Sequence, residues 1–384
     1  MGRKIQWFIT GATGFIGREF VRRVLEQTED DVAVIIRPAK GVALAERLDA
    51  ALRTTGCSAG DYVDRLTHLE GDVSEPQLGL SDVDWASVVG GNDGHQPSMV
   101  NVVHLAAHTG FSADLDAARR ANLDGVREIL DFATALHQTG RLARLAHVST
   151  AFIAGDRTDI VSVAPPDLDA DFRNTYERSK AEAEVLVWGA GQRLPVTVFR
   201  PSIVVGDSLT GNASGVNTIY WALKRYLAGQ TFFFANETAA LDIVPVDYVC
   251  DAMLHLLQNT PPQDGAVACY PLVAGPNRAI QLGELARAAS AYFGIAQPRI
   301  MPPSALHRCR GLLRIAKLAK GHRRFIEQME SYLPYFSSNP SFDDTPTRMA
   351  LLGSAVHAPA VYEYLPAVFS YCCRQGWNAK HADR

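Results

Sequence analysis

An open, doubly wound parallel α/β sheet is the fold this sequence predicts, joined to a smaller, mainly helical C-terminal lobe. Three observations predict it. Short apolar, β-branched runs alternate with longer segments of helical period, and strand–helix–strand alternation means parallel strands joined by crossover helices. The apolar runs lack polar alternation, as strands buried on both faces do. A glycine-rich turn, Gly11-Ala-Thr-Gly14-Phe-Ile-Gly17, stands between the first run and the first helical segment.

The predicted strands are, in order, residues 5–10, 32–37, 66–70, 100–105, 142–148, 196–200 and 266–273. Each is short, rich in Val, Ile, Leu or Phe, and bounded by turn or helix signals. Between them, 15–26, 42–53, 117–136 and 176–188 repeat apolar residues at helical spacing. The rhythm breaks twice. Residues 206–236 are rich in Gly, Asn and aromatics, and from about Pro276 the chain turns mainly helical and rather basic. Ligands of open α/β sheets bind beyond the carboxyl ends of the strands. We therefore expect a Rossmann-type nucleotide-binding domain over 1–275, with 206–240 contributing to a substrate-binding lobe completed by 276–384.

Composition excludes several classes. The 384 residues are 47% hydrophobic and 20% charged, with a net charge of −4. That balance gives no global attraction to nucleic acid or acidic membranes. The six cysteines are scattered without a CxxC pair, so no zinc site is expected. No run is apolar for long enough to form a transmembrane segment, and the N-terminus lacks a secretory pattern. The expectation is a cytoplasmic protein with reduced thiols.

The glycine turn permits close approach of backbone to a pyrophosphate, which the helix N-terminus stabilises. A three-glycine turn alone also fits an ordinary strand–helix junction; its place after the first strand favours a dinucleotide. An NAD-binding domain usually carries an acid at the end of the second strand. Here Arg37 stands there, with no carboxylate between Val32 and Lys40. A guanidinium suits the 2′-phosphate of NADPH, and the missing acid favours that reading over a merely solvated strand end. Asp72 follows the third strand, where a carboxylate can accept from an adenine amino group or simply form a turn. Leu105, Ala106 and Ala107 close the fourth strand with room for a cofactor to lie across them.

Tyr176-Glu-Arg-Ser-Lys180 opens a helical stretch. One turn separates phenol from ammonium, so both emerge on one face. The ammonium is expected to lower the phenol pKa and to bind a ribose, making the phenol a usable proton donor. Ser149-Thr150 ends the fifth strand, where a hydroxyl can stabilise developing negative charge. Each feature has a structural alternative: a surface pair on a helix, or a hydroxyl satisfying the strand end. Their joint order on the right elements is the stronger signal.

The stretches FITGATGFIG, IIRPAKGVALAERL, GDVSEP, VVHLAAHTGF, HVSTAFIAG, TYERSKAEAE, FRPSIVVGDSLTG and IVPVDYVCDAM resemble the extended short-chain dehydrogenase/reductase family. Within it they look most like the thioester-reductase and fatty acyl-CoA reductase branch, called male-sterility-like. The resemblance implies Thr150, Tyr176 and Lys180 as the catalytic set. It implies Gly11, Thr13, Gly14, Phe15, Ile16 and Gly17 around the pyrophosphate, and Arg37 with Arg47 on the 2′-phosphate. Asp72 and Val73 would flank adenine; Leu105, Ala106, Ala107 and Ser149 would lie along the cofactor; Pro201, Ser202, Ile203 and Val204 would approach the nicotinamide. Asn122 would support the site structurally, and Asp247 would cap a helix. The implied activity is NADPH-dependent reduction of an acyl thioester, carried on coenzyme A or a carrier protein, to an aldehyde or alcohol. The same residues would serve a ketone or hydroxysteroid oxidoreductase, a sugar-nucleotide epimerase-like enzyme, or a catalytically silent NADP-binding regulator.

One motif stands outside this reading. Arg308, Arg310, Arg314, Lys317, Lys320, Arg323 and Arg324 interleave with apolar residues near helical spacing. A solvated helix face is the plainest account. A weak membrane-surface contact and a guide for a phosphopantetheine carrier are the alternatives.

Overall fold

The computed structural model describes residues 5–90, 98–111, 113–213, 218–262, 265–308 and 323–377. Seven strands form the main sheet: β1 (Ile5–Thr10), β2 (Asp31–Ile36), β3 (Leu66–Glu70), β4 (Val100–His104), β5 (Leu142–Val148), β6 (Val196–Pro201) and β7 (Val267–Leu272). Their order across the sheet is β7-β6-β5-β4-β1-β2-β3, and every pairing is parallel. The chain starts in the middle and winds outward both ways. The order therefore reverses between β1 and β4, where a crevice opens above the strand ends.

Side chains along a strand alternate between faces, and β1 shows what that does. Trp7 and Ile9 enter the core beneath the helices Phe15–Gln27 and Val246–Asn259. Phe8 between them enters the opposite core, beneath Gly125–Gln138 and Thr175–Ala190. Both faces are covered, so these strands carry no polar alternation. A third apolar cluster gathers Tyr220, Trp221, Phe293, Tyr364 and Phe369 from the later part of the chain. It includes a short parallel pair, Phe232–Phe234 with Arg299–Met301.

Two differences from expectation bear on the site. β2 ends at Ile36, leaving Arg37 just beyond the strand. The helical stretch expected over 117–136 is interrupted: helix Leu115–Arg119 passes through a π turn, Arg120–Asp124, into helix Gly125–Gln138. Such bulges often mark functional sites, and this one carries Asn122. Among the described residues no helix is long and apolar enough to cross a membrane, and no group of His, Cys, Asp or Glu could hold a metal. Most of the basic run, including Arg310, Arg314, Lys317 and Lys320, lies outside the described residues.

Candidate active site

The carboxyl edge of the sheet opens into a cavity of about 800 Å³. One wall is the glycine turn. Gly11 holds φ at +74°, and a Cβ there would sit 2.6 Å from the Ala106 nitrogen. A Cβ at Gly17 would sit 2.0 Å from the Gly11 oxygen. Both positions need glycine: the first for its left-handed backbone and close approach, the second because the turn folds directly onto it. Gly14 then precedes helix Phe15–Gln27, and no side chain caps that helix. Its first residues, Phe15, Ile16 and Gly17, line the cavity, and an uncapped helix N-terminus is a place where anions bind.

Gly11, Gly14, Phe15, Ile16, Gly17, Leu105, Ala107, Ser149, Thr150, Tyr176, Lys180 and Pro201 through Val204 all line this space. The side chain of Ser149 is buried, with no hydrogen-bond partner for its hydroxyl. A buried polar atom without a partner costs free energy, and this one borders the cavity, where a ligand can satisfy it. Ala106 lies just behind the lining, its amide donating to Thr10 Oγ1 at 3.2 Å. Thr13 is half-buried and is not part of the lining.

Arg37, Arg47 and Asp72 gather outside the cavity, beyond β2 and β3. Arg47 donates to the Arg37 carbonyl, and the Arg37 guanidinium lies 3.9 Å from the Asp72 carboxylate. Asp72 also accepts from the Ser74 amide and hydroxyl at 3.0 and 2.8 Å, so it is a turn residue as well. Val73 packs against the core beside Gly125.

Asn174 caps helix Thr175–Ala190 by accepting from the Glu177 amide at 3.0 Å. That fixes Tyr176 in the first turn and Lys180 one turn later. Thr150 follows β5 by two residues and caps the following short turn, accepting from the Phe152 amide at 3.3 Å. Burial pushes the Tyr176 phenol up to about 12, with hydrogen bonding to Thr150 pulling down and Glu177 pushing up. The expected lowering by Lys180 is not among the causes. The ammonium instead donates to the Val148 carbonyl at 2.8 Å and lies 3.5 Å from His147 Nε2. Burial brings Lys180 itself down to about 8. Burial thus keeps the phenol protonated at neutral pH.

Asn122 ties this helix to the loop after β4. It accepts from the His108 amide at 2.7 Å, donates to the Ser179 hydroxyl at 2.9 Å, and Ser179 donates to the Tyr176 carbonyl at 3.0 Å. Asp247 lies in the first turn of its own helix yet accepts from the Ser208 amide at 2.8 Å and from the Ser208 hydroxyl, so it anchors the 207–211 loop rather than capping.

Two groups were not singled out from the sequence. The first is a wall of aromatic rings in mutual contact: Phe111, Phe152, Tyr332 and Tyr335 all line the same cavity as the glycine turn. No short-range signal marks them as a group, since they meet from three distant segments. The second is a buried imidazole pair, His104 and His147, stacked at 5.5 Å beneath the site. Histidines at the carboxyl ends of two neighbouring buried strands were the available signal.

An open parallel sheet with a glycine cradle at its switch point is the architecture of the NAD(P)-binding α/β proteins. Residues 9–253 match the male sterility protein family. The chain belongs to that family, a branch of the extended short-chain dehydrogenases/reductases. It is 27% identical over 273 residues to the nonribosomal peptide synthetase asaC of Aspergillus flavus, covering 66% of this chain and 25% of that protein. It is 27% identical over 283 residues to the fatty acyl-CoA reductase wat of Drosophila melanogaster, covering 64% of this chain and 53% of that one. The chain thus spans between a quarter and about half of these relatives' length. The terminal R domain of the myxalamid PKS-NRPS pathway shares the fold, with a TM-score of 0.81 at 24% identity over 98% of this chain and 92% of that one.

Proposed function

We propose that this chain is an NADPH-dependent reductase of acyl thioesters. The observation that carries this reading is the cavity's construction: the glycine turn, a set of aromatic rings and Tyr176 all border one space. The relatives named above, a peptide synthetase and a fatty acyl-CoA reductase, support the substrate class.

In this reading Gly11 through Gly17 hold the pyrophosphate, Arg37 and Arg47 the 2′-phosphate, and Asp72 and Val73 the adenine. Lys180 and Ser149 hold the ribose side, and Pro201 through Val204 bound the nicotinamide. When bound, the reduced nicotinamide supplies the hydride. Thr150 and Tyr176 donate hydrogen bonds to the thioester carbonyl oxygen and stabilise the oxyanion as the carbonyl carbon becomes tetrahedral. Collapse of that intermediate breaks the carbon–sulfur bond. The pair of electrons leaves on the thiolate, which takes up a proton, and an aldehyde remains. The aromatic wall covers the acyl chain and excludes water.

The test is NADPH oxidation and free-thiol release measured together against acyl-CoAs, carrier-bound acyl groups, aldehydes and ketones. One thiol released per first NADPH consumed is expected with thioesters. Turnover of ketones alone, without thiol release from any thioester, overturns the reading.

A further inference from the structure

Glu177 sits between Tyr176 and Lys180 in sequence, yet its side chain is wholly buried. A buried carboxylate persists only where hydrogen bonds and opposite charge compensate it. Arg173 provides its amide at 3.0 Å and its guanidinium at 3.4 Å. The shortest contact comes from the other end of the chain: the Tyr335 hydroxyl donates to Glu177 Oε1 at 2.6 Å. That hydroxyl also accepts from Asn174 Nδ2 at 2.8 Å, and Asn174 caps the Glu177 amide at 3.0 Å. The three residues close a ring around the first turn of the helix that carries Tyr176.

The ring of Tyr335 makes a second connection. It stacks on Phe111 with centroids 5.1 Å apart and planes 13° apart. Phe111 in turn lies against Tyr176, at 5.8 Å. Tyr176 is thus fixed through its backbone, by way of Glu177 and Asn174, and through its ring, by way of Phe111. Both routes begin at one residue of the segment Leu333–Phe336. A phenylalanine there would keep the stack and lose both hydrogen bonds, leaving Glu177 buried with a weaker set of partners.

We propose that Tyr335 is a positioning residue for Tyr176, acting through Glu177 and Asn174 on its backbone and through Phe111 on its ring. This rests on Tyr176 being the hydrogen-bond donor to the reacting carbonyl. The effect falls on turnover because catalysis demands sub-ångström placement of reacting groups. The cofactor cradle belongs to other strands and is not part of this network.

The experiment compares wild type, Tyr335→Phe, Tyr176→Phe and the double variant on butyryl-CoA and octanoyl-CoA. Cofactor Kd is measured separately by the fluorescence of bound NADPH. Tyr335→Phe is expected to lower kcat about 10-fold while leaving cofactor Kd unchanged. The double variant is expected to be no slower than Tyr176→Phe alone, because a positioning effect has nothing left to position. The proposal is overturned if Tyr335→Phe keeps wild-type kcat, if its loss multiplies in full with that of Tyr176→Phe, or if cofactor affinity falls by the same factor. Asn174→Ser retains the capping oxygen and removes the amide donor to Tyr335. Should Tyr335→Phe fail to fold, this variant is judged by the same three criteria. Normal turnover by Tyr176→Phe would sink the donor role and the positioning role together, a result distinct from each of the others.

Discussion

Two groups of residues from different parts of the chain line the cavity: a small-residue wall that includes Gly11, Gly14, Gly17, Ala107 and Ser149, and an aromatic wall of Phe111, Phe152, Tyr332 and Tyr335. The first wall works by what is missing. At Gly11 and Gly17 close backbone contacts leave no room for a methyl group, and the helix Phe15–Gln27 starts there without a side-chain cap. The second wall works by bulk, with rings meeting edge to face at 5.1 Å for Phe152 and Tyr335 and 5.7 Å for Phe111 and Tyr332. A surface made of absences tolerates almost no substitution, whereas one made of interdigitating rings accepts repacking if volume is kept. Tyr176 stands where the two meet.

The largest effect is expected at that meeting point. Tyr176→Phe keeps the ring and its contact with Phe111 but removes the donor. Turnover should fall by about two to four orders of magnitude, with cofactor affinity preserved. Near-normal turnover would mean that the proton donor lies elsewhere. Next comes a direct test of the contrast. Gly17→Ala places a methyl 2.0 Å from the Gly11 oxygen, so the turn must move. It should lose at least about 10-fold in cofactor affinity and about 1–3 kcal/mol of stability by chemical denaturation. Phe152→Leu on the aromatic wall should cost less than about 1.5 kcal/mol and leave cofactor Kd alone. Equal losses at the two positions would dissolve the distinction.

The proposed 2′-phosphate site lies outside the cavity, where Arg47 donates to the Arg37 carbonyl. Arg37→Ala should weaken NADPH binding by about 1–3 kcal/mol and leave NADH nearly untouched. The Arg37 side chain is 71% exposed, so the smaller end of that range is expected. Preference for NADH in the wild type, or equal loss on both cofactors, would remove Arg37 from the 2′-phosphate.

The same contrast explains what was legible before the fold was seen. The backbone wall is written locally. Seven residues from Gly11 to Gly17 specify a turn, and the five from Tyr176 to Lys180 specify one helical face. The seven main-sheet strands were legible because burial on both faces leaves largely apolar runs such as residues 32–36. The aromatic wall has no such local code. Phe111, Phe152 and Tyr335 are ordinary core residues by composition, and only the tertiary fold brings positions 158 apart, such as Glu177 and Tyr335, into a hydrogen bond. The phenol's pKa was misjudged for a related reason. Spacing tells that Lys180 shares a face with Tyr176. It does not tell that the ammonium is drawn to the Val148 carbonyl, or that burial outweighs its charge.

The smallest effect concerns what lies under the backbone wall. Burial holds His104 down to about 3, and it holds His147 well below the ordinary imidazole range, with Lys180 adding to both shifts. Both rings therefore stay neutral in the folded state where an unfolded chain would protonate them. Below pH 6.5 the unfolded state binds more protons than the folded one, so stability is lost as pH falls through that range. Between pH 7 and 5.5 the loss is about 1.3 kcal/mol for each buried histidine. Asp242 opposes this trend. Burial pushes its carboxyl up to about 6, so the folded state takes up that proton first and gains stability over the same interval. A single stability curve therefore mixes the two signs. The difference between wild type and His147→Asn cancels Asp242, since that carboxylate is common to both. Urea midpoints converted to free energies at pH 7 and 5.5 should show a pH dependence about 1.3 kcal/mol smaller in favour of the variant at the acid end. An unchanged difference would mean that the imidazole is already charged or solvated in the native protein, and that the sheet beneath the glycine cradle is wetter than its packing indicates.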